Sequence, residues 1–260
     1  MVKVSVVGAG GRMGREVCRA VLAEQDLELV AAIDPEFGGR TLADLTGELQ
    51  VELGVKSDLA AMTAAGTQVM VDFTQPASAF GDAVFALEHG IHAVVGTTGM
   101  SASEMEELER LAARAEANLL IAPNFAMGAV LMMVFARQAA LYFPDCEIIE
   151  LHHDRKLDAP SGTSLRTAEM IAETREGPGS GEGAQPPSRG LEAQGIRIHS
   201  VRLPGLIAHQ EVIFGGKGQA LTIRHDSYDR TSFMPGVIYA VRNISAHAGM
   251  TVGLEKWLSL

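Results

Sequence analysis

The sequence is poor in cysteine, with two among 260 residues, Cys18 and Cys146. They form no CxxC pair and allow at most one disulfide, so neither a disulfide framework nor a thiolate metal cage is expected. Both read as small buried hydrophobic side chains. Long hydrophobic runs are absent too: the longest uncharged apolar stretch, Phe125 to Ala136, has twelve residues, well short of the ~20 that span a bilayer. The apolar stretch between Lys3 and Gly10 is too short for the centre of a secretory signal, so a cytoplasmic protein with no membrane partner is expected. Positive charge is scarce, because 21 Lys and Arg stand against 32 Asp and Glu, for a net charge of −11. Residues 1–125 carry −10 and residues 126–260 only −1. An acidic chain without a basic stripe suits neither nucleic acid nor an anionic membrane, although a local basic pocket fits the second half.

What is present in excess is glycine, 28 residues where average usage is roughly 7%. The glycines cluster at 8–14, 177–183 and 215–218. Hydrophobic residues at 47% and charged residues at 20% describe an ordinary globular protein of one large domain or two.

The first glycine cluster follows a β-branched run, Val2 to Val7, and precedes a helical pattern from about Gly11 to Glu24. Further strands are expected at Leu27–Ile33, Thr67–Phe73, Ile91–Val95 and Asn118–Ala122. Helices are expected between them, one after Pro76 and one after Ser101, where Glu104 completes a capping box. Alternating strands and helices predict an α/β fold, a Rossmann-type doubly wound parallel sheet. From Cys146 the texture changes to longer strand-like runs, Cys146–His153, Ile196–Leu203, Gln210–Phe214 and Ala220–His225, with one helix around Ser164–Glu176. That is an α+β domain with a mixed sheet. Residues 177–195 read as a mobile loop by composition, and Gly215, Gly216 and Gly218 as a turn between two strands. Thr231–His247 returns to helix, so residues 1–125 with 231–260 are expected to form one domain and 126–230 the other.

Gly8-Ala9-Gly10-Gly11-Arg12-Met13-Gly14 stands between strand and helix, the context in which glycines let a pyrophosphate approach backbone amides and a helix N-terminus. Asp34 ends the second strand twenty residues after Gly14, where a carboxylate accepts hydrogen bonds from the adenine ribose hydroxyls. The residue after it is Pro35 rather than a base, so NADH is expected over NADPH, with Arg12 and Arg40 in reach of a 2′-phosphate. Gly96-Thr97-Thr98-Gly99 and Ala122-Pro123-Asn124-Phe125 follow the fourth and fifth strands, at the carboxyl ends where open α/β sheets bind ligands.

The most specific segment is Glu150-Leu151-His152-His153-Asp154-Arg155-Lys156-Leu157-Asp158-Ala159-Pro160-Ser161-Gly162-Thr163. Two His, an Arg and a Lys fall within five residues, and Ser161-Gly162-Thr163 opens a helix whose amides and hydroxyls suit a carboxylate. Two adjacent His on an extended chain point to opposite faces and no third ligand is well spaced, so no metal is expected. His199, His209, His225 and His247 read as structural, and Asp158 as ordering the turn before Pro160.

Taken in order along the whole chain, the glycine loop, the Gly96–Gly99 segment, the Asn124-Phe125 turn and the Glu150–Thr163 stretch resemble the dihydrodipicolinate reductases of bacterial lysine and diaminopimelate synthesis. The His-His-x-x-Lys-x-Asp-Ala-Pro-Ser-Gly-Thr stretch is highly specific to that family, whereas the glycine loop is shared by many dehydrogenases. The resemblance implies reduction of a cyclic imine dicarboxylate by NADH or NADPH in a homotetramer, with a hinge between a dinucleotide domain and a substrate and tetramerisation domain. It makes His152 the acid/base position, Lys156 the proton donor, and His153, Ser161, Gly162 and Thr163 the substrate contacts. Cofactor contacts fall on Gly8, Ala9, Gly10, Gly11, Arg12, Met13, Asp34, Gly96, Thr97, Thr98, Ala122, Pro123, Asn124 and Phe125. Pro35 departs from members that carry Arg there. Two other readings share the first domain: another two-domain dehydrogenase, for which Cys146 is a poor nucleophile, and a non-catalytic NAD sensor.

Overall fold

Short β-branched runs become the strands of a parallel sheet in the computed structural model, which describes residues 1–47, 52–174 and 187–258. In chain order these elements are β1 (Val2–Val7), α1 (Arg12–Ala23), β2 (Leu27–Ile33), α2 (Leu42–Thr46), β3 (Val55–Lys56), α3 (Ala60–Ala64), β4 (Val69–Asp72), α4 (Pro76–Glu88), β5 (His92–Val95), α5 (Ala102–Ala112) and β6 (Leu119–Ile121). Next come α6 (Met127–Ala140), β7 (Asp145–His152), α7 (Gly162–Ala172), β8 (Leu191–Ala193), β9 (Ile196–Arg202), β10 (Ala208–Gly216) and β11 (Gln219–Ser227), and the chain ends with α8 (Met234–Asn243) and β12 (Met250–Val252). Two compact units result, Met1–Phe125 with Phe233–Ser259, and Ala126–Ser232.

The first unit is a Rossmann-type seven-stranded sheet in the order β12-β6-β5-β4-β1-β2-β3. Its neighbours pair in parallel throughout. Every residue of β4 is buried, as a parallel strand covered on both faces requires. Val17, Cys18 and Val21 place the buried stripe of α1 one turn apart, each valine contributing about 1.5–3 kcal/mol by leaving water. α5 starts at the Ser101–Glu104 capping box. The strand order reverses at β1 and β4, so their carboxyl ends open a crevice at the switch point.

The second unit carries a mixed five-stranded sheet, β11-β10-β7-β9-β8. β7 runs parallel to β9 and antiparallel to β10. The glycines at 215–218 close the hairpin between β10 and β11, whose turn carries Gly218 at φ +75°.

Several elements depart from the sequence expectations. Residues 175–186, most of the expected loop, lie outside the described residues, but its last part forms β8, antiparallel to β9. The helix expected from Ser164 starts at Gly162. β3, α2 and α3 were not expected, because two- and five-residue elements leave no period to read. After α8 the chain adds β12 to the edge of the first sheet.

Candidate active site

In the first unit, Gly8 adopts φ +78°, a conformation glycine takes without a steric cost. A Cβ on Gly14 would stand 2.0 Å from the Gly8 carbonyl oxygen, so α1 approaches β1 as closely as it does only because position 14 lacks a side chain. The Gly11 cap of α1 brings no side chain to the helix N-terminus, and the first-turn amides of Arg12 and Met13 have no intrahelical acceptor. Phe37 lies flat enough on the loop that a Cβ on Gly10 would meet its ring at 2.1 Å.

Asp34 is 8% exposed and binds the loop from the end of β2. Its Oδ2 accepts from the Gly10 amide at 2.9 Å and its Oδ1 from the Glu36 amide at 3.0 Å. A carboxylate offers about four lone-pair directions, so both oxygens keep capacity for ribose hydroxyls. This cradle of backbone amides with a carboxylate beside it fits a dinucleotide. Arg15 and Arg40 bring their guanidiniums to 5.5 and 5.9 Å from the Phe37 ring centroid, and neither forms an ion pair among the described residues.

On the other side of the switch point, Gly96 packs against Phe73, and the Thr97 hydroxyl donates to Asp72 Oδ1 at 2.9 Å. The Thr97 proton is therefore committed to the protein and its hydroxyl can only accept from a cofactor, whereas Thr98 is exposed. Phe125 is 1% exposed and tilts against Phe73 with centroids 5.7 Å apart, so its ring is a wall. Ala122 is bonded through its amide to Val95, and Pro123 is exposed. Asp72 and Asp82, which the sequence reading passed over, are buried beside Thr97. Thr74 Oγ1 lies 3.0 Å from Asp72 Oδ1 and 3.5 Å from Asp82 Oδ2. Burial pushes the Asp82 carboxyl up, and the charge and hydrogen bond of Asp72 push it further, to about 7.

In the second unit, β7 ends at His152, and the buried residue two before it, Glu150, shares its face of the strand. Glu150 Oε2 accepts from His152 Nδ1 at 2.5 Å. The Arg202 guanidinium, one strand over at the end of β9, donates to both Glu150 oxygens at 2.7 Å. The Ser161 amide, just before α7, donates to Oε1 at 3.2 Å. Burial alone raises this carboxyl, but hydrogen bonds from His152, Arg202 and Ser200 outweigh it and hold Glu150 at about 2. Arg202 also donates to the Asp158 carbonyl at 2.8 Å, which ties the loop after β7 to the same hub.

Lys156 Nζ donates to Asp158 Oδ1 and Oδ2 at 2.7 and 2.8 Å. An ammonium has three donors, so this pairing leaves capacity for a ligand. The Asp158 side chain thus holds Lys156 as well as shaping the turn. Ser161 is a helix cap: its hydroxyl accepts from the Ser164 amide at 3.2 Å and the residue is 2% exposed, leaving exposed Gly162 and half-buried Thr163 as the ligand-facing part of the turn. His153 Nδ1 is buried without a hydrogen-bonding partner, an unmet polar group of the kind a bound carboxylate satisfies.

Other residues settle into structural roles. His199 pairs with Glu147 and His209 with Asp226, His247 stacks on Trp257, and His225 abuts Gly128. Cys18 is fully buried, which pushes its thiol up to about 12, while Cys146 is only half-buried, against expectation. Glu150 opens the segment that stood out in the sequence, but its pairing with Arg202 carried no signal there, because a charge on a strand usually marks a solvated face and the partners stand 52 residues apart.

The family pattern described as dihydrodipicolinate reductase, N-terminus, matches residues 2–125, and the one described as dihydrodipicolinate reductase, C-terminus, matches residues 128–258. Proteins named 4-hydroxy-tetrahydrodipicolinate reductase are similar end to end: that of Listeria welshimeri is 51% identical over 98% of this chain and 99% of its own length. That of Syntrophomonas wolfei is 47% identical over 98% of each. A dipicolinate-bound dihydrodipicolinate reductase from Paenisporosarcina sp. TG-14 superposes with a TM-score of 0.85 at 42% identity, over 99% of this chain and 100% of that one. An amine dehydrogenase from Mycobacterium smegmatis, at 16% identity and TM-score 0.72, shares the fold. With two family patterns filling the two halves and relatives about half identical from end to end, the chain belongs to the dihydrodipicolinate reductase family.

Proposed function

We propose that the chain is an NAD(P)H-dependent reductase that converts 4-hydroxy-tetrahydrodipicolinate, or the dihydrodipicolinate formed from it by loss of water, to tetrahydrodipicolinate in lysine and diaminopimelate synthesis. The observation that carries this reading is the grouping of His152, the Lys156–Asp158 pair and the first turn of α7 around the ends of β7 and β9. Cationic donors next to open helix amides suit a small ring with two carboxylates. The dipicolinate held by the Paenisporosarcina relative is such a ring.

In this proposal residues 1–125 with 231–260 bind the dinucleotide and residues 126–230 bind substrate and join subunits. A nicotinamide bound there would supply hydride to a ring carbon conjugated with the imine. Negative charge then develops on the ring, and Lys156 quenches it with a proton. His152 exchanges a proton at Nε2, the nitrogen not held by Glu150. His153, Gly162 and Thr163 hold the substrate carboxylates, and Ser161 keeps the turn in place.

The amides of Arg12 and Met13, at the N-terminus of α1, face the pyrophosphate, and Asp34 takes the ribose hydroxyls. Gly96, Thr97 and Thr98, with Ala122 to Phe125, line the nicotinamide side. We assign the preference to NADH, since a carboxylate at position 34 followed by Pro35 repels a 2′-phosphate. The guanidiniums of Arg15 and Arg40 beside Phe37 let NADPH serve as the weaker donor. The working form is a cytoplasmic homotetramer, consistent with a second sheet whose face bearing Ile149, Leu151, Val201 and Ile213 is only half-buried in one chain.

The test is a coupled assay in which the product of dihydrodipicolinate synthase is supplied and oxidation of NADH and NADPH is followed at 340 nm. Oxidation of both, faster with NADH, is expected. No oxidation with either removes the proposed activity, and a faster rate with NADPH reverses the preference. Lys156→Ala lowers turnover by about 10²–10⁴ if Lys156 gives the proton, with NADH affinity unchanged by fluorescence titration.

A further inference from the structure

Three groups of buried polar residues stand apart from direct substrate and cofactor contact: the Asp72–Asp82 pair, the Gln210–Thr167 pair, and the Glu150–Arg202 hub. The hub touches the substrate segment at three points, His152, the Asp158 carbonyl and the Ser161 amide. Its carboxylate is fully buried and receives His152 Nδ1, two nitrogens of Arg202 and the Ser161 amide, and Arg202 carries the connection on to the Asp158 carbonyl.

We propose that Glu150 is a positioning residue for the reduction: it fixes the ring orientation and tautomer of His152 and, through Arg202 and Ser161, the placement of the loop that bears Lys156 and of the first turn of α7. The inference rests on the reading of His152 as the acid/base group. It follows from donor and acceptor arithmetic. An ionised carboxylate accepts and cannot donate, and Arg202 in bidentate contact keeps Glu150 ionised. The nitrogen that meets Glu150 Oε2 must therefore be an N–H, so His152 carries a proton on Nδ1 in its neutral and its cationic form alike. Only Nε2 is left to gain and lose a proton. A histidine free to choose its tautomer would present a proton-bearing Nε2 part of the time and would fail as a base in that fraction.

The same carboxylate aligns a second element. The Ser161 amide is the last one before α7, and Glu150 Oε1 holds it while the Ser161 hydroxyl caps Ser164. The chain thus enters the helix in one conformation, with Gly162 leaving open space where a side chain would stand. Arg202, bonded to both Glu150 and the Asp158 carbonyl, sets the loop from which Lys156 projects.

Nitrogen-15 NMR of the histidine-labelled, full-length protein reads the tautomer without any substitution. A neutral His152 with the proton on Nδ1 is expected, and a neutral His152 with the proton on Nε2 overturns the proposal. Glutamine at position 150 keeps the shape but can donate as well as accept. Glu150→Gln is expected to lower kcat by about 10²-fold or more with KM changed by less than about threefold, and to give His152 a mixed tautomer signal. Wild-type kcat together with an unchanged tautomer overturns the proposal. His152→Gln separates this from the underlying reading: if that variant turns over normally, His152 is not the acid/base group and the reading itself fails. If His152→Gln is crippled while Glu150→Gln is not, only the positioning role fails. Should Glu150→Gln not fold, Glu150→Gln combined with Arg202→Gln removes the stranded cation, and the same kcat and tautomer readouts apply.

Discussion

Glu150 and Asp82 are both carboxyl groups withdrawn from water near the ends of strands, and the protein holds them in opposite states. Burial pushes each of them up. At Glu150, hydrogen bonds from His152, Arg202 and Ser200 reverse the effect and keep the group ionised down to about pH 2. At Asp82 the neighbouring charge is Asp72, a second carboxylate, and the value climbs to about 7. Two adjacent carboxyls cannot both ionise cheaply, so the pair retains a proton near neutrality. The contrast follows the distribution of charge along the chain: residues 1–125 carry −10 and residues 126–260 only −1. A carboxylate matched to a cation becomes a rigid acceptor that can orient a neighbour. One matched to its own kind becomes a group that titrates close to working pH.

The strongest way to break the comparison is to make Glu150 resemble Asp82. Arg202→Ala strands a buried carboxylate, and stability is expected to fall by about 3–5 kcal/mol, measured by denaturant unfolding at pH 7. Loss of less than about 1 kcal/mol would mean that His152 alone keeps the charge tolerable. The complementary change removes the repulsion in the first unit. Asp82→Asn is expected to raise stability by roughly 1–2 kcal/mol at pH 8 and to change it little at pH 5, where the wild-type pair holds its proton. Thermal unfolding at the two pH values decides this, and an equal shift at both would remove the shared proton from the account.

The direction of the pH dependence also separates the two sites. Glu150 has a folded value below its ordinary 4.5, so its contribution is present above 4.5 and is lost as pH falls toward 2. Asp82 has a folded value above its ordinary 3.8, so its contribution is present below 3.8 and is lost as pH rises through about 7. His92 adds a third case within the first unit: burial lowers its value, and its Nδ1 accepts from the Asn118 amide at 2.9 Å. That contribution is present above the ordinary 6.5 and is lost as pH falls below it. Differential scanning calorimetry from pH 2 to 9 is therefore expected to show two losses as pH falls, one below 6.5 and one below 4.5, and one loss as pH rises from 3.8 through about 7.

How much of this was legible in the sequence depends on distance along the chain. The glycine turn, Asp34 at the end of β2 and the Ser101–Glu104 box are local patterns: the box closes as its spacing implied, Gly8 turns with a positive φ, and Asp34 stands beside the turn, bonded to the Gly10 amide. The partners that set the chemistry are not local. Arg202 reaches Glu150 across the parallel pairing of β7 with β9, and Asp82 meets Asp72 through the packing of α4 on its sheet. A strand charge or a helix carboxyl carries no mark in the sequence of what will face it. Thr97 shows the same limit from the other side, since its place in Gly96–Gly99 pointed to a ligand while its hydroxyl is given to Asp72.

The smallest expected effect probes how the proton-sharing pair is held. The Thr74 hydroxyl reaches both Asp72 and Asp82, and among the influences on Asp82 it is the one that lowers its value. Thr74→Val keeps the side-chain shape and deletes the hydrogen bond, at a cost of about 1 kcal/mol. Without that donor the ionised form of Asp82 loses its support against Asp72, so its titration should move upward from about 7. Carbon-13 NMR of the aspartate carboxyls follows that midpoint directly. An upward shift ties the state of Asp82 to Thr74, whereas a downward shift would mean that the hydroxyl favours the protonated form of Asp82.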